Sequence, residues 1–320
     1  TLIGGLAGDE LTASDFNVAV GYSSLSTDTL GARNVAVGHE ALASQNFTTA
    51  TTSYNTAVGM QSGRLITTGV NNTLIGGLAG DALTDADHNV AVGYNALSAD
   101  TLGSRAVAIG QGALEAQNFT TATENYNVAV GFHAGTSVTT GRFNSLFGGL
   151  AGDAFTTGEH NVALGYQALT TAVASNRTVA VGSNALNTQN VAGTTYNVAV
   201  GYGAGQNVTT GVQNTFIGGQ AGDALTTSNN NVAIGYNALT TDTLGTKTVA
   251  IGIDALKNQN FTTNTDTYNV AMGYNAGRDV TVGEGNTLLG GLAGDSLTDA
   301  DFNVAVGKNA LSSDTLGSFS

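Results

Sequence analysis

The sequence predicts an all-β fold: a parallel β-solenoid of about eighteen coils forming one repeat domain over residues 1–320. Three observations predict it. Glycine returns at 4, 21, 38, 59, 76, 93, 110, 131, 148 and onward to 307, at a near-constant step that lengthens only at every fourth coil. Each of these glycines closes a three-residue apolar run such as Val18-Ala19-Val20, too short for a helix and β-branched at alternate places. The chain contains no proline, which a continuous stack of paired strands leaves almost nowhere to sit. A short fixed period with one strand signal per unit marks coils stacked on one another.

The coils group in fours. The stretch from Gly4 to Gly76 equals that from Gly76 to Gly148, which divides the chain into units 1–71, 72–143, 144–213 and 214–285 and a partial unit 286–320. Within a unit the first coil reads Gly-Gly-Leu-Ala-Gly-Asp-Ala-Leu (Gly76 to Leu83) and the second Gly-Tyr-Asn-Ala-Leu-Ser-Ala-Asp-Thr-Leu (Gly93 to Leu102). The third coil carries an insertion (Gln117 to Tyr126), and the fourth runs from Gly131 to Gly141. Length varies only in the third type, where the segment from Asn190 is two residues shorter than its counterparts. Insertions confined to one corner mark an exposed loop, so Asn46, Phe47, Asn118, Phe119, Asn260 and Phe261 are expected on a row of projecting loops. Each of those asparagines also begins an Asn-Phe-Thr acceptor sequence for glycosylation.

Numbering each coil from the asparagine that precedes its strand, positions 2 and 4 hold Val, Thr, Ile, Leu, Met or Phe and are expected to fill the coil interior. Position 3 then faces outward. It is Ala in most coils and bulky in Leu2, Leu74, Leu146, Phe216 and Leu288, which are the expected subunit-interface residues. Position 8, Ala in nearly every coil, is assigned to the same outward face. Such a stripe in water implies that the chain is not a stable monomer. The Asn column at position 1 is expected to hydrogen-bond along the stack.

Composition narrows the function classes. A formal net charge of −14 argues against nucleic-acid and anionic-membrane partners, and no apolar stretch is long enough to insert in a membrane. Without cysteine there is no disulfide and no thiol chemistry. A start at Thr1, one residue into a repeat, suggests a piece of something longer. Gly76-Gly77-Leu78-Ala79-Gly80-Asp81 resembles the calcium-binding nonapeptide, but its third glycine is one place late and it returns once in four coils rather than in consecutive turns. Asp81, Asp85 and Asp87 are the weak calcium candidates, and no resident cofactor is expected. Glycine-rich phosphate loops fail because no helix follows them. Four histidines, His39, His88, His133 and His160, accompany no fixed Ser, Asp or Glu and read as surface residues. Threonine pairs shift position between coil types, which disfavours a flat ice-binding array. Arg64 with Asp81 and Arg278 with Asp295 lie one coil apart at the same coil position and are expected to form exposed ion pairs. Arg33, Arg105, Arg177 and Lys247 recur at one corner, as ion pairs or, less simply, as an anion-binding stripe. No carboxylate or basic cluster breaks the repeat, so an enzyme is not expected.

The run Asn89 to Leu97 (Asn-Val-Ala-Val-Gly-Tyr-Asn-Ala-Leu) resembles the head repeats of trimeric autotransporter adhesins. Asn72 to Asp81 and Gln117 to Thr121 look closer to repeats in tail-fibre-like proteins of marine bacteriophages. The resemblance spans the whole chain, although the coils are longer than the usual adhesin head repeat and no stalk heptads appear. It implies a left-handed β-roll, a homotrimer and attachment to cells. The expected function is a structural fibre segment, the shaft or head of a phage tail fibre. Such a segment is extracellular and holds a receptor-binding tip against a cell-surface receptor or glycan that regions outside these residues contact. A bacterial surface adhesin and a self-polymerising extracellular filament are the alternatives.

Overall fold

Apart from the two-residue Leu2–Ile3, each run that ends in a period glycine is a three-residue strand, and within each compact unit neighbouring runs pair in parallel. Val18–Val20 lies in register with Val35–Val37, and Val90–Val92 with Val107–Ile109. The computed structural model describes all residues, Thr1–Ser320, in two compact units, Thr1–His160 and Asn161–Ser320. Nine coils with such a strand build each unit, about eighteen in all, and no helix forms. A second, two-residue ladder joins the second and third coil types at the corner of the insertion. Gly31–Ala32 pairs with Thr51–Thr52 and Gly103–Ser104 with Thr123–Glu124 in the first unit. Ser175–Asn176 pairs with Gly193–Thr194 and Gly245–Thr246 with Thr265–Asp266 in the second.

The period glycine is the corner that turns the strand back on itself. Gly21 and Gly93 have φ of +133° and +140°, a region essentially closed to side chains. A Cβ on Gly21 would also stand 2.5 Å from the carbonyl oxygen of Gly38 in the next coil. Two further corner positions of each coil, 7 and 9, take left-handed φ even when occupied by Ser23, Leu25, Asn95 or Leu97.

The strands face the opposite way from the expectation. Position 3 points inward: Ala19, Ala36, Ala57, Leu74, Ala91, Leu146, Phe216 and Leu288 are all fully buried within their own chain. Of the five expected interface residues only Leu2 is exposed, at 51%, in the first coil. The position 8 alanines are interior as well, while positions 2 and 4 look outward, as in the half-buried–buried–half-buried pattern of Val18–Val20. A strand alternates its faces strictly, so one misplaced position inverts them all.

The reason is volume. A coil this short has a narrow interior that most often takes alanine from the strand and few larger side chains from across the coil. In the second and third coil types that larger group is position 9, as Leu25, Leu42, Leu97 and Leu114, all fully buried. In the fourth and first types position 9 is glycine, and the space is filled by the bulky position 3 residue of the first type together with position 12 of both, as Ile66 and Leu83. A Cβ on Gly63 or on Gly80 would lie 2.7 or 2.8 Å from a methyl group of Leu74. Leu146 stands in the same relation to Gly135, and in the second unit Phe216 does to Gly205 and Gly222. The four-coil grouping is therefore a core-packing period.

The buried position of Leu74 makes it a fold residue. Leu74→Ala should cost about 2–5 kcal/mol, read as a lower denaturant midpoint. Leu74→Asp should prevent folding of its unit rather than yield a folded chain with altered association. A soluble, native-like Leu74→Asp variant would contradict the inward assignment.

Candidate interaction surfaces

The interior is more polar than its apolar columns suggest, and it positions everything outside. Asn34 donates its backbone N–H to Asn17 Oδ1 (2.8 Å), and Asn89 does the same to Asn72 Oδ1 (2.9 Å). The side-chain amide reaches across its own coil: Asn17 Nδ2 donates to the Gly31 carbonyl (2.8 Å) and Asn89 Nδ2 to that of Gly103 (2.9 Å). The expected Asn column thus clips each coil shut and holds the next amide, and contacts between the side chains themselves are few. Where position 1 is not Asn, at Ala106, Thr178 and Thr248, the coil is always of the inserted type. Asn34, the one Asn in that coil type, has a buried Nδ2 with no partner. The insertion removes the carbonyl that the amide would reach, so Asn34 keeps only its acceptor role, its Oδ1 taking the Ser53 hydroxyl (2.8 Å) and the Asn55 N–H (3.0 Å).

A second buried set holds the inserted loop. Asp100 Oδ1 accepts the backbone N–H groups of Gly103 (3.0 Å) and Phe119 (3.0 Å), and Oδ2 accepts Gln117 Nε2 (2.6 Å). Gln117 Oε1 in turn accepts Asn127 Nδ2 (2.8 Å). Asp28 with Gln45 and Asp242 with Gln259 repeat the arrangement. Sequence reasoning missed these residues. Their signal was that the Asp is replaced, by Ala172, only ahead of the short loop. There Ser175 Oγ donates to the Val191 carbonyl (2.9 Å) and accepts the Val191 N–H (3.1 Å).

The loop expectation is corrected in part. Phe47, Phe119 and Phe261 are 5–6% exposed, tucked under the loops they begin. Asn46 is exposed and Asn118 and Asn260 half-buried, and the loops project only beyond these phenylalanines. Asn46 and Asn118 each take a threonine hydroxyl of the preceding coil, from Thr29 (3.2 Å) and Thr101 (3.1 Å).

The charge pairs differ too. Arg278 closes on its neighbour Asp279 (2.6 Å) rather than on Asp295, and Arg64 acts on Asp81 only as a nearby charge. At the other corner the cations do find partners: Arg105 bonds Glu124 (2.8 Å), Lys247 bonds Asp266 (2.6 Å), and Arg177 donates to Thr194 Oγ1 (2.9 Å). Arg33 lies over the rings of Phe16 (5.1 Å) and Tyr54 (5.7 Å). The Tyr126 hydroxyl and Arg105 together hold the Glu124 carboxyl below its ordinary range.

No three His, Asp or Glu side chains stand close enough to share a metal ion. Asp81, Asp85 and Asp87 are instead engaged separately. Burial raises the Asp81 carboxyl, Asp85 accepts the Thr68 hydroxyl (2.6 Å), and Asp87 accepts the Val70 N–H (2.8 Å). The strand face is the largest apolar feature outside the core. Ile75 (40%), Ile109 and Phe147 at position 4 line up beside the position 6 row of Tyr22 (54%), Tyr94 and Phe132 in the first unit. Leu164, Val200, Ile217 and Met272 stand beside Tyr166, Tyr202, Tyr236 and Tyr274 in the second. No helix is long and apolar enough to cross a membrane.

Removing the loop clamp should be costly and repairable. Asp100→Ala leaves two backbone amides and a glutamine amide without an acceptor, a loss of about 3 kcal/mol. Adding Gly103→Ser and Ala106→Thr, and replacing residues 118–126 by the sequence of 190–196, should recover most of it in chemical denaturation. A graft no more stable than Asp100→Ala alone would remove the clamp assignment.

The same carboxylate should give an unusual pH response. Burial raises the Asp100 carboxyl above its ordinary value, against the hydrogen bonds that lower it. A folded-state pKa above the unfolded one means that its contribution is highest at acid pH and falls as pH rises through the folded value. Relative to Asp100→Asn, the native chain should therefore gain stability between pH 7 and pH 4. A difference that does not change with pH would contradict it.

No protein-family model and no curated protein matches this chain.

Proposed function

We propose that the chain is a structural fibre segment, a left-handed β-roll that works as a homotrimer outside the cell. In this reading it is the shaft or head of a phage tail fibre, holding a receptor-binding tip away from the particle. The observation that carries the reading is the outward strand face. Rows of Val, Ile, Leu and Tyr run coil after coil in each unit, and such stripes on soluble proteins normally mark interfaces. This assigns the interface to positions 2, 4 and 6 in place of position 3. The buried polar groups support a mechanical role, because these Asp, Asn and Gln side chains are spent on holding coils together.

Covering an isoleucine at such an interface contributes roughly 1.5–3 kcal/mol at full burial. The test is sedimentation equilibrium on the native chain and on Ile75→Asp with Ile109→Asp. Both residues are well exposed in the single chain, at 40% and 38%, so the coil itself should tolerate the change. The native chain should sediment as a trimer and the variant as a folded monomer. A monomeric native chain, or a trimeric variant, would overturn the assignment.

A further inference from the structure

The corner that precedes each Asn carries a column of exposed side chains in left-handed backbone, and this column is where chemistry varies while the fold does not. In the first unit it includes Phe16, Arg33, Tyr54, His88, Arg105, Tyr126 and Phe143, with φ between +51° and +65°. The rings stack along the column: Tyr126 on Phe143 at 6.0 Å and Phe143 on His160 at 4.8 Å between centroids.

Beside this column two open notches repeat at the four-coil period. The larger, about 410 Å³, lies between Asp87 and His88 on one side and Thr123 and Glu124 on the other, with Arg105 between them. The smaller, about 230 Å³, is bounded by Asp15, Phe16, Arg33, Thr51 and Thr52. Residue for residue the second notch is the first displaced by four coils. What the copies share is one carboxylate, one guanidinium, one threonine hydroxyl and a ring at the rim. What differs is Thr52 against Glu124, Ala13 against Asp85 and Ala32 against Ser104, with Leu30 lining only the smaller notch.

We propose that these notches bind neutral polysaccharide along the body of the chain. A sugar ring presents both faces of the required chemistry: hydroxyls that donate to a carboxylate and accept from a guanidinium, and an apolar C–H face that lies on an aromatic ring. The shared set carries no net charge, and the chain as a whole carries −14, which repels a polyanion. A cationic peptide would suit the notch at Glu124 but not its copy, where a single carboxylate faces a single arginine. At ~4.8 Å per coil the notches stand about 19 Å apart, so one polymer chain can occupy both and gain by multivalency. This binding does not depend on the fibre reading or on the number of chains.

The test is affinity electrophoresis of the full chain in gels containing dextran, galactomannan or laminarin, with alginate and oligolysine as competing probes. At least one neutral polymer should retard the native chain. Arg33→Ala with Arg105→Ala, and separately Phe16→Ala with His88→Ala, should reduce the retardation at least tenfold in apparent affinity while leaving the melting transition unchanged. Arg142→Ala, at a half-buried arginine outside both notches, should leave it unaltered. No retardation by any of the three neutral polymers overturns the proposal. So does retardation that survives both double variants, binding confined to alginate, or displacement by oligolysine alone.

Discussion

The spacing between successive period glycines is the constraint on which everything else rests. Parallel ladders fix neighbouring coils at ~4.8 Å, and at the corner that leaves no room for a Cβ. On Gly93, as on Gly21, it would stand 2.5 Å from the next glycine's carbonyl oxygen. Because the corner stacks backbone on backbone, each coil repeats the path of the last. A buried side chain therefore has a near-identical environment above and below it. Columns follow from this: alanine on alanine at position 3, asparagine on asparagine at position 1.

A stack so tight makes the interior narrow, and a narrow interior cannot close on apolar groups alone. Backbone amides on the far side of each coil need acceptors. Asn at position 1 supplies both a donor and an acceptor, and Asp at position 12 of the coil ahead of the insertion supplies acceptors alone. The two devices meet at one residue, Gly103, whose carbonyl accepts from Asn89 and whose N–H donates to Asp100. The coil type that carries the long loop is the one in which Asn is dispensable, as Ala106, Thr178 and Thr248 record and the partnerless Asn34 amide explains. The short loop after Ala172 shows the same coupling from the other side, with Ser175 standing in for the carboxylate.

The period, the strands, the parallel stacking, the Asn column and the corner that takes insertions were legible in the sequence. The facing of the strands was not. Side-chain size points to the wrong face, because in a coil this narrow alanine is the usual strand residue inside and Val or Ile lies outside. A signal for the true register was present: every bulky position 3 residue, such as Leu74 or Phe216, coincides with glycine at position 9 of the same coil and of the coil before. Phe47 and Phe119 were misplaced for a related reason, since a loop's first residue can fold under it. The Arg278–Asp295 pair failed because a period places backbones together, while a long side chain chooses among several carboxylates, here the adjacent Asp279.

Inside and outside are thus under different rules. An interior substitution must satisfy volume above and below it and hydrogen bonds around it, so the interior repeats. The corner ahead of each Asn obeys only a backbone requirement, left-handed φ, which Phe16, Arg33, Tyr54 and His88 all meet. Left-handed conformation costs most residues roughly 1–2 kcal/mol, and the stack carries that cost at every coil whatever the side chain is. The corner column is consequently free to hold rings, cations and carboxylates in any order without disturbing the fold. A repeat built this way separates the residues that make it stand from those that can recognise something.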